Sequence, residues 1–129
     1  MVSAKEQILI DGLMDWFHPT WVEAEVEERS DGDHDAVRQQ SIGLITELLV
    51  EGLVNAGDVY TGTPWDVSVG DCIVRITSEW LREAPDEIPD TDTITWFSLT
   101  EKGEEVAREA RTCSRLEREA NGEKVIWFD

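Results

Sequence analysis

The chain has 129 residues, with 29 acidic against 11 basic side chains and a formal charge of −18. That length suits one domain spanning residues 1–129, and a 40% hydrophobic share with six Trp and three Phe supplies a core that a disordered chain lacks. A surface this acidic repels phosphate backbones and anionic lipid and attracts basic proteins.

The apolar runs are only a few residues long, which excludes a membrane span, and the opening Met-Val-Ser-Ala-Lys-Glu lacks the apolar stretch of a signal peptide. Cys72 and Cys113 have neither close spacing nor neighbouring His, so a reduced, cytoplasmic setting is expected.

Ser3 and Glu6 have the spacing of a capping box, and Ile10, Leu13, Met14 and Phe17 follow at helical spacing, which predicts a helix over 4–17 ended by Pro19. Thr20 and Glu23 repeat the capping-box spacing, while Val22, Ala24 and Val26 alternate with Glu in a way that also suits a strand; the cap and the many Glu favour a second helix. The polar stretch 29–35 reads as a loop, with Asp35 placed to cap a third helix over 37–51. Ile42, Ile45 and Leu49 form its buried line, Leu44 and Leu48 widen it, and Gly52 ends it. Gly43 in mid-helix implies close approach of another helix or of a partner.

Short extended pieces are expected at Leu53-Val54 and Val59-Tyr60, with a turn at Thr61-Gly-Thr-Pro64. Asp71 is placed to cap a fourth helix with Ile73, Ile76, Trp80 and Leu81 on its apolar side, stopping before Pro85. An acidic, Pro-containing loop follows over 85–92, then a strand over 93–99. Thr100 caps a last helix over 101–120, read as buried through Val106, Ala107, Ala110, Cys113 and Leu116. After Asn121-Gly122, residues 124–128 read as a final strand. The fold class is α+β: helix-rich, with a small antiparallel sheet made by the 93–99 strand and the C-terminal one.

Gly52-Leu53-Val54 after the third helix, and Leu99-Thr100-Glu101-Lys102-Gly103 running from a strand into a helix, stand in an order that resembles the winged-helix regulators of the multiple-antibiotic-resistance and phenolic-acid-repressor kind. The resemblance covers roughly residues 4–115. It implies a winged-helix frame, with a helical insertion in the wing at about 70–84, because 38 residues lie between Val54 and Thr93. Asp15-Trp16, Gly57-Asp58, Pro64-Trp65, Glu79-Trp80 and Thr95-Trp96 are similar to a pattern of small actinobacterial proteins of unknown role, and the bias of eight Arg to three Lys fits a GC-rich source.

The electrostatics oppose the function that this resemblance implies. Residues 35–103 hold thirteen acids and four bases, whereas affinity for duplex DNA comes mainly from cation–phosphate contacts. On the third helix a DNA reader would have only Arg38, Gln39, Gln40 and Thr46, helped by dimerisation through the last helix. The favoured reading is therefore a non-catalytic module that binds, and in the manner of an immunity protein neutralises, a basic protein. The acid-rich run Glu23, Glu25, Glu27, Asp31 and Asp33, together with Trp21 and Trp65, is its expected partner surface. Among the Trp, 16, 21, 65 and 127 fit their element patterns least well and are the candidates for exposure.

No catalytic residue, cofactor or metal is expected. Asp31-Gly-Asp-His-Asp35 opens like a calcium loop, but Ala36 stands where a sharp turn needs Gly and Ile42 where a bidentate Glu belongs. The chain lacks a nucleophile elbow and a phosphate-binding Gly loop. Adaptation to high salt is the other source of such acidity.

Overall fold

A helix leaves backbone N–H groups without partners at its start and carbonyls at its end, and local sequence meets that need at most helix ends of this chain. The computed structural model describes residues 3–30, 32–58, 61–83 and 95–122. In chain order they form α1 (Ala4–Gly12), α2 (Pro19–Glu28), α3 (His34–Val50), β1 (Val54–Gly57), α4 (Val69–Glu83), β2 (Trp96–Leu99) and α5 (Glu101–Ala120). The architecture is α+β and helix-rich, and β1 and β2 make a small antiparallel sheet.

Ser3 and Glu6 form the expected capping box at α1, each side chain accepting the other's backbone N–H. The helix stops at Gly12, five residues short of the boundary read from spacing. Phe17 is extended and exchanges two backbone hydrogen bonds with Phe97, at 3.0 and 2.7 Å, while the two rings pack at 5.3 Å. Those sheet-like bonds and a buried ring outcompete one more helical turn. Met14, assigned to the apolar face, is left 71% exposed.

The second helix exists, but its start differs: His18 is the N-cap and Pro19 takes the first helical turn, where its missing N–H costs nothing. Asp33 rather than Asp35 caps α3, accepting the Ala36 N–H at 2.9 Å. Its buried stripe is Val37, Ser41, Ile45, Leu48 and Leu49, with Ile42 and Leu44 half-buried beside it. At its end Gly52, with φ +72°, sends its N–H to Leu49 O and the Leu53 N–H to Leu48 O, the paired bonds of a glycine-terminated helix. Nothing lies within 4 Å of a methyl group built on Gly43, so no other part of the described chain approaches it.

The Gly52 turn and the start of α5 form one joint. Thr100 donates its N–H to Leu53 O (3.0 Å) and its hydroxyl to Gly52 O (2.6 Å), while Lys102 Nζ donates to Glu51 O (2.9 Å). The Thr100 hydroxyl also accepts the Gly103 N–H as the N-cap of α5. Gly103 lies so close to this turn that a Cβ would fall 2.0 Å from Leu53 O. The two short motifs, 45 and more residues apart, thus satisfy each other's exposed backbone groups.

In the sheet, Ala56 pairs with Phe97 and Gly57 with Trp96. Phe17 bridges the outer side of β2, and the Trp65 N–H reaches Ala56 O at 3.0 Å on the outer side of β1. The described partner of β2 is therefore β1; the expected C-terminal strand, like Trp127, Ile94 and the 85–92 loop, lies outside the described residues. Thr95, fully buried, donates its hydroxyl to Gly57 O at 2.7 Å and accepts the Gly57 N–H at 3.2 Å. Ser68, not Asp71, accepts the Asp71 N–H at the start of α4, whose Cys72 and Ile76 are buried.

The core gathers Ile8, Leu9, Val22, Leu48, Ile76 and Phe97. On α5 the buried residues are Gly103, Ala107, Ala110 and Ser114. Cys113 and Leu116, assigned to its buried face, are exposed. Small size rather than apolarity selects the inner stripe, because α5 packs on α1 and small side chains let the helices approach.

Candidate functional site

Between α1 and α2 the chain turns through residues 13–18, and this turn carries the most exposed aromatic surface described. Trp16 stacks on the buried Trp96 with ring centroids 4.4 Å apart and planes 14° from parallel, yet it remains 56% exposed. Trp96 is itself held by its indole N–H, which donates to Asp58 O at 2.8 Å. Trp21, on α2, is 50% exposed, and its indole N–H donates to Asp11 Oδ2 at 3.1 Å. Gln7 donates to the other oxygen of Asp11 at 2.9 Å. Asp15 accepts the Trp16 N–H at 2.7 Å and fixes the turn.

A cleft of about 480 Å³ opens here, lined by Asp15, Trp16, Phe17, His18 and Trp21 among others. A smaller one of about 260 Å³, on which Asp11 and Met14 also border, shares Trp16 and Trp21 with it. The lining is chiefly aromatic with carboxylates at the rim, and among the described residues it contains no Lys or Arg. His18 Nδ1 lies 2.9 Å from Thr95 O; a carbonyl only accepts, so Nδ1 is the donor in this bond. Rings, carboxylates and one imidazole of this kind suit recognition of a cation or of an apolar side chain.

The partner surface expected from the acid-rich run does not come together. Glu23 is only 2% exposed, on the inner face of α2 with Pro19, Val22 and Val26, because a 3.6-residue period turns position 23 inward. Glu25 is half-buried and bonded to Arg29 at 2.5 Å. Glu27 is exposed; Asp33 is exposed but spends an oxygen on the α3 cap; Asp31 lies outside the described residues. Trp65 is half-buried against the core, with the Arg75 guanidinium 4.1 Å above its ring. Of the described members of that set only Trp21 stands at the cleft. Asp11, Asp15 and Trp16 complete it, and Met14, taken for a core residue, borders it.

The DNA-reading set fares differently. Arg38 is folded against Asp35 with its side chain only 12% exposed, and Thr46 spends its hydroxyl on Ile42 O. Gln39 and Gln40 are exposed. Glu47 and Glu51 both pair with Lys5 of α1, at 3.0 and 2.6 Å. Burial opposes the charge on Lys5, but the Glu51 and Glu47 carboxylates outweigh it, and its pKa stands above the usual lysine value.

Cys72 and Cys113 are both free thiols; burial, then the neighbouring Asp71, pushes the Cys72 thiol up, with Arg75 working weakly against them. Among the described residues no three His, Cys, Asp or Glu side chains gather as a metal site, and no helix is long and apolar enough to cross a membrane. Compared with protein-family models, with curated proteins and with solved structures, the chain matches none.

Proposed function

We infer that this chain is a non-catalytic module, built on a winged-helix-type frame, that binds a basic protein through the cleft at Trp16 and Trp21. The observation that carries this reading is the pair of half-exposed indoles, held in fixed orientation beside Asp11 and Asp15, in a chain of formal charge −18. Rigid aromatics ringed by complementary charge are what interface hot spots are made of. The frame is supported by the element order, by the joint between Gly52 and Thr100, and by the Phe17 bridge beside β2. Binding to a basic nuclease or DNA-binding protein, as immunity proteins do, suits the charge, and the two free thiols suit a cytoplasmic setting.

The DNA-binding alternative has less support, because the one Arg of α3 is turned back onto Asp35. Self-association through α5 would use the exposed Leu116.

The test titrates the protein with a labelled Arg- and Lys-rich polypeptide and with a short duplex, following anisotropy between about 50 and 200 mM salt. The polypeptide should bind with a steep loss on adding salt, and a Trp16→Ala, Trp21→Ala double variant, unchanged in net charge, should bind about tenfold or more weakly. Tight, salt-sensitive duplex binding by the native protein, or equal polypeptide affinity for the double variant, would overturn the reading.

A further inference from the structure

We propose that the group taken by the cleft is an arginine side chain of the partner, its guanidinium laid on the open face of Trp16 and forked to the carboxylate of Asp15. The proposal rests on the protein-binding reading above and adds the chemistry of recognition. One face of the Trp16 indole is closed by Trp96 at 4.4 Å, which presents the other as a flat platform, and the residue is 56% exposed. The face of an indole attracts a cation through its quadrupole, and a guanidinium gains stacking contact that a compact ammonium does not.

Among the described residues, carboxylates rather than Lys or Arg stand around that platform. Asp15 and Asp11 stand at its rim, and neither forms an ion pair with any described residue; their described partners are the neutral N–H groups of Trp16, Trp21 and Gln7. A planar fork of N–H donors is the cation that can meet an indole face and a carboxylate edge together.

The same chain already contains the guanidinium-on-indole half of this arrangement. Arg75 lays its guanidinium 4.1 Å over the ring of Trp65, itself half-buried against the core. At Trp16 the ring and the carboxylate are in place, and no Lys or Arg is among the described lining residues.

The experiment uses a neutral Gly-Ser peptide carrying one central arginine, lysine or citrulline, added to the 15N-labelled full chain. The indole N–H resonance of Trp16 is identified by its loss in Trp16→Phe. The arginine peptide should move that resonance saturably and leave that of Trp65 in place. The lysine peptide should bind at least about fivefold more weakly, and the citrulline peptide, equal in shape but uncharged, should not move it.

Asp15→Asn retains an oxygen for the Trp16 N–H and so preserves the turn; it should weaken arginine binding about tenfold while the melting temperature stays within a degree or two. Equal affinity for lysine would sink the guanidinium assignment and leave the basic-partner reading standing. Equal perturbation by citrulline would mean an apolar groove, against the proposal. A Trp16 resonance that shifts with protein concentration alone would assign the cleft to a second copy of the chain, and would also refute it.

Discussion

Gly103→Ala and Gly43→Ala each add one methyl group to a helix, and the structure gives them opposite signs. At Gly103 the new Cβ falls 2.0 Å from Leu53 O and 2.9 Å from its carbonyl carbon, where ordinary contact begins near 3.4 Å. Leu53 cannot retreat freely, because its carbonyl accepts the Thr100 N–H and its own N–H is bonded to Leu48 O. Forcing an extra carbon into packed surroundings costs about 1–3 kcal/mol. Opening the joint loosens the Thr100 bonds to Leu53 and Gly52, each contributing about 0.5–1.5 kcal/mol. Replacing helical glycine by alanine offsets about 1 kcal/mol of this. The net expectation is destabilisation by about 3 kcal/mol, a fall in Tm of about 10 °C for a chain of this size. Among the described residues no packed neighbour lies within 4 Å of a methyl group added at Gly43, so only the helix-propensity gain of about 1 kcal/mol remains, and Tm should rise by about 4 °C. Urea unfolding followed by Trp fluorescence, with thermal melts alongside, measures both. A Gly103→Ala midpoint at or above the native one, with unchanged m-value, would refute the close-approach reasoning.

Thr95→Val keeps the side-chain shape but removes the hydroxyl that serves both the N–H and the C=O of Gly57; a loss of about 2 kcal/mol in urea unfolding is expected, and an unchanged midpoint would show that those groups find other partners. The Lys5 ion pairs raise its pKa above the ordinary 10.5, so their stabilisation is whole below that pH and is lost as pH climbs through the folded-state value. The stability gap between the native protein and Lys5→Met, below about 1 kcal/mol for so exposed a pair, should therefore be flat from neutral pH to about 10 and shrink above it. A gap that shrinks on acidification from neutral pH towards 5 would contradict this assignment. Cys113 should react with iodoacetamide at neutral pH in the folded protein while Cys72, buried and held as the thiol, reacts only on unfolding; mass mapping of the labelled peptides checks it, and equal labelling would show that α4 opens readily.

What the amino-acid sequence determined by itself is the set of features closed by groups a few residues apart. The Ser3 box, the Thr100 cap, the Gly52 stop and the inner line of α3 were all legible, since a cap spans three residues and a helix face repeats every 3.6. Helix-rich α+β composition followed from them. Competing caps were harder: Asp33 and Asp35 are equally able, and so are Ser68 and Asp71, and backbone geometry chose the first of each pair.

Only the tertiary structure decided which of several similar residues lies inside. Trp16 and Trp96 are the same side chain, stacked on each other, one 56% and the other 4% exposed, because Trp96 stands in a paired strand over Gly57 and Trp16 in the turn outside it. Glu23 went in and Leu116 went out, according to which neighbouring element covered each position. The cleft residues Asp11 and Asp15 were invisible among 29 acids. What singles them out is their bonds to the Trp21 indole and the Trp16 backbone, the first of which joins residues ten apart on two different helices, and such pairings depend on how α1 meets α2, which no local spacing encodes.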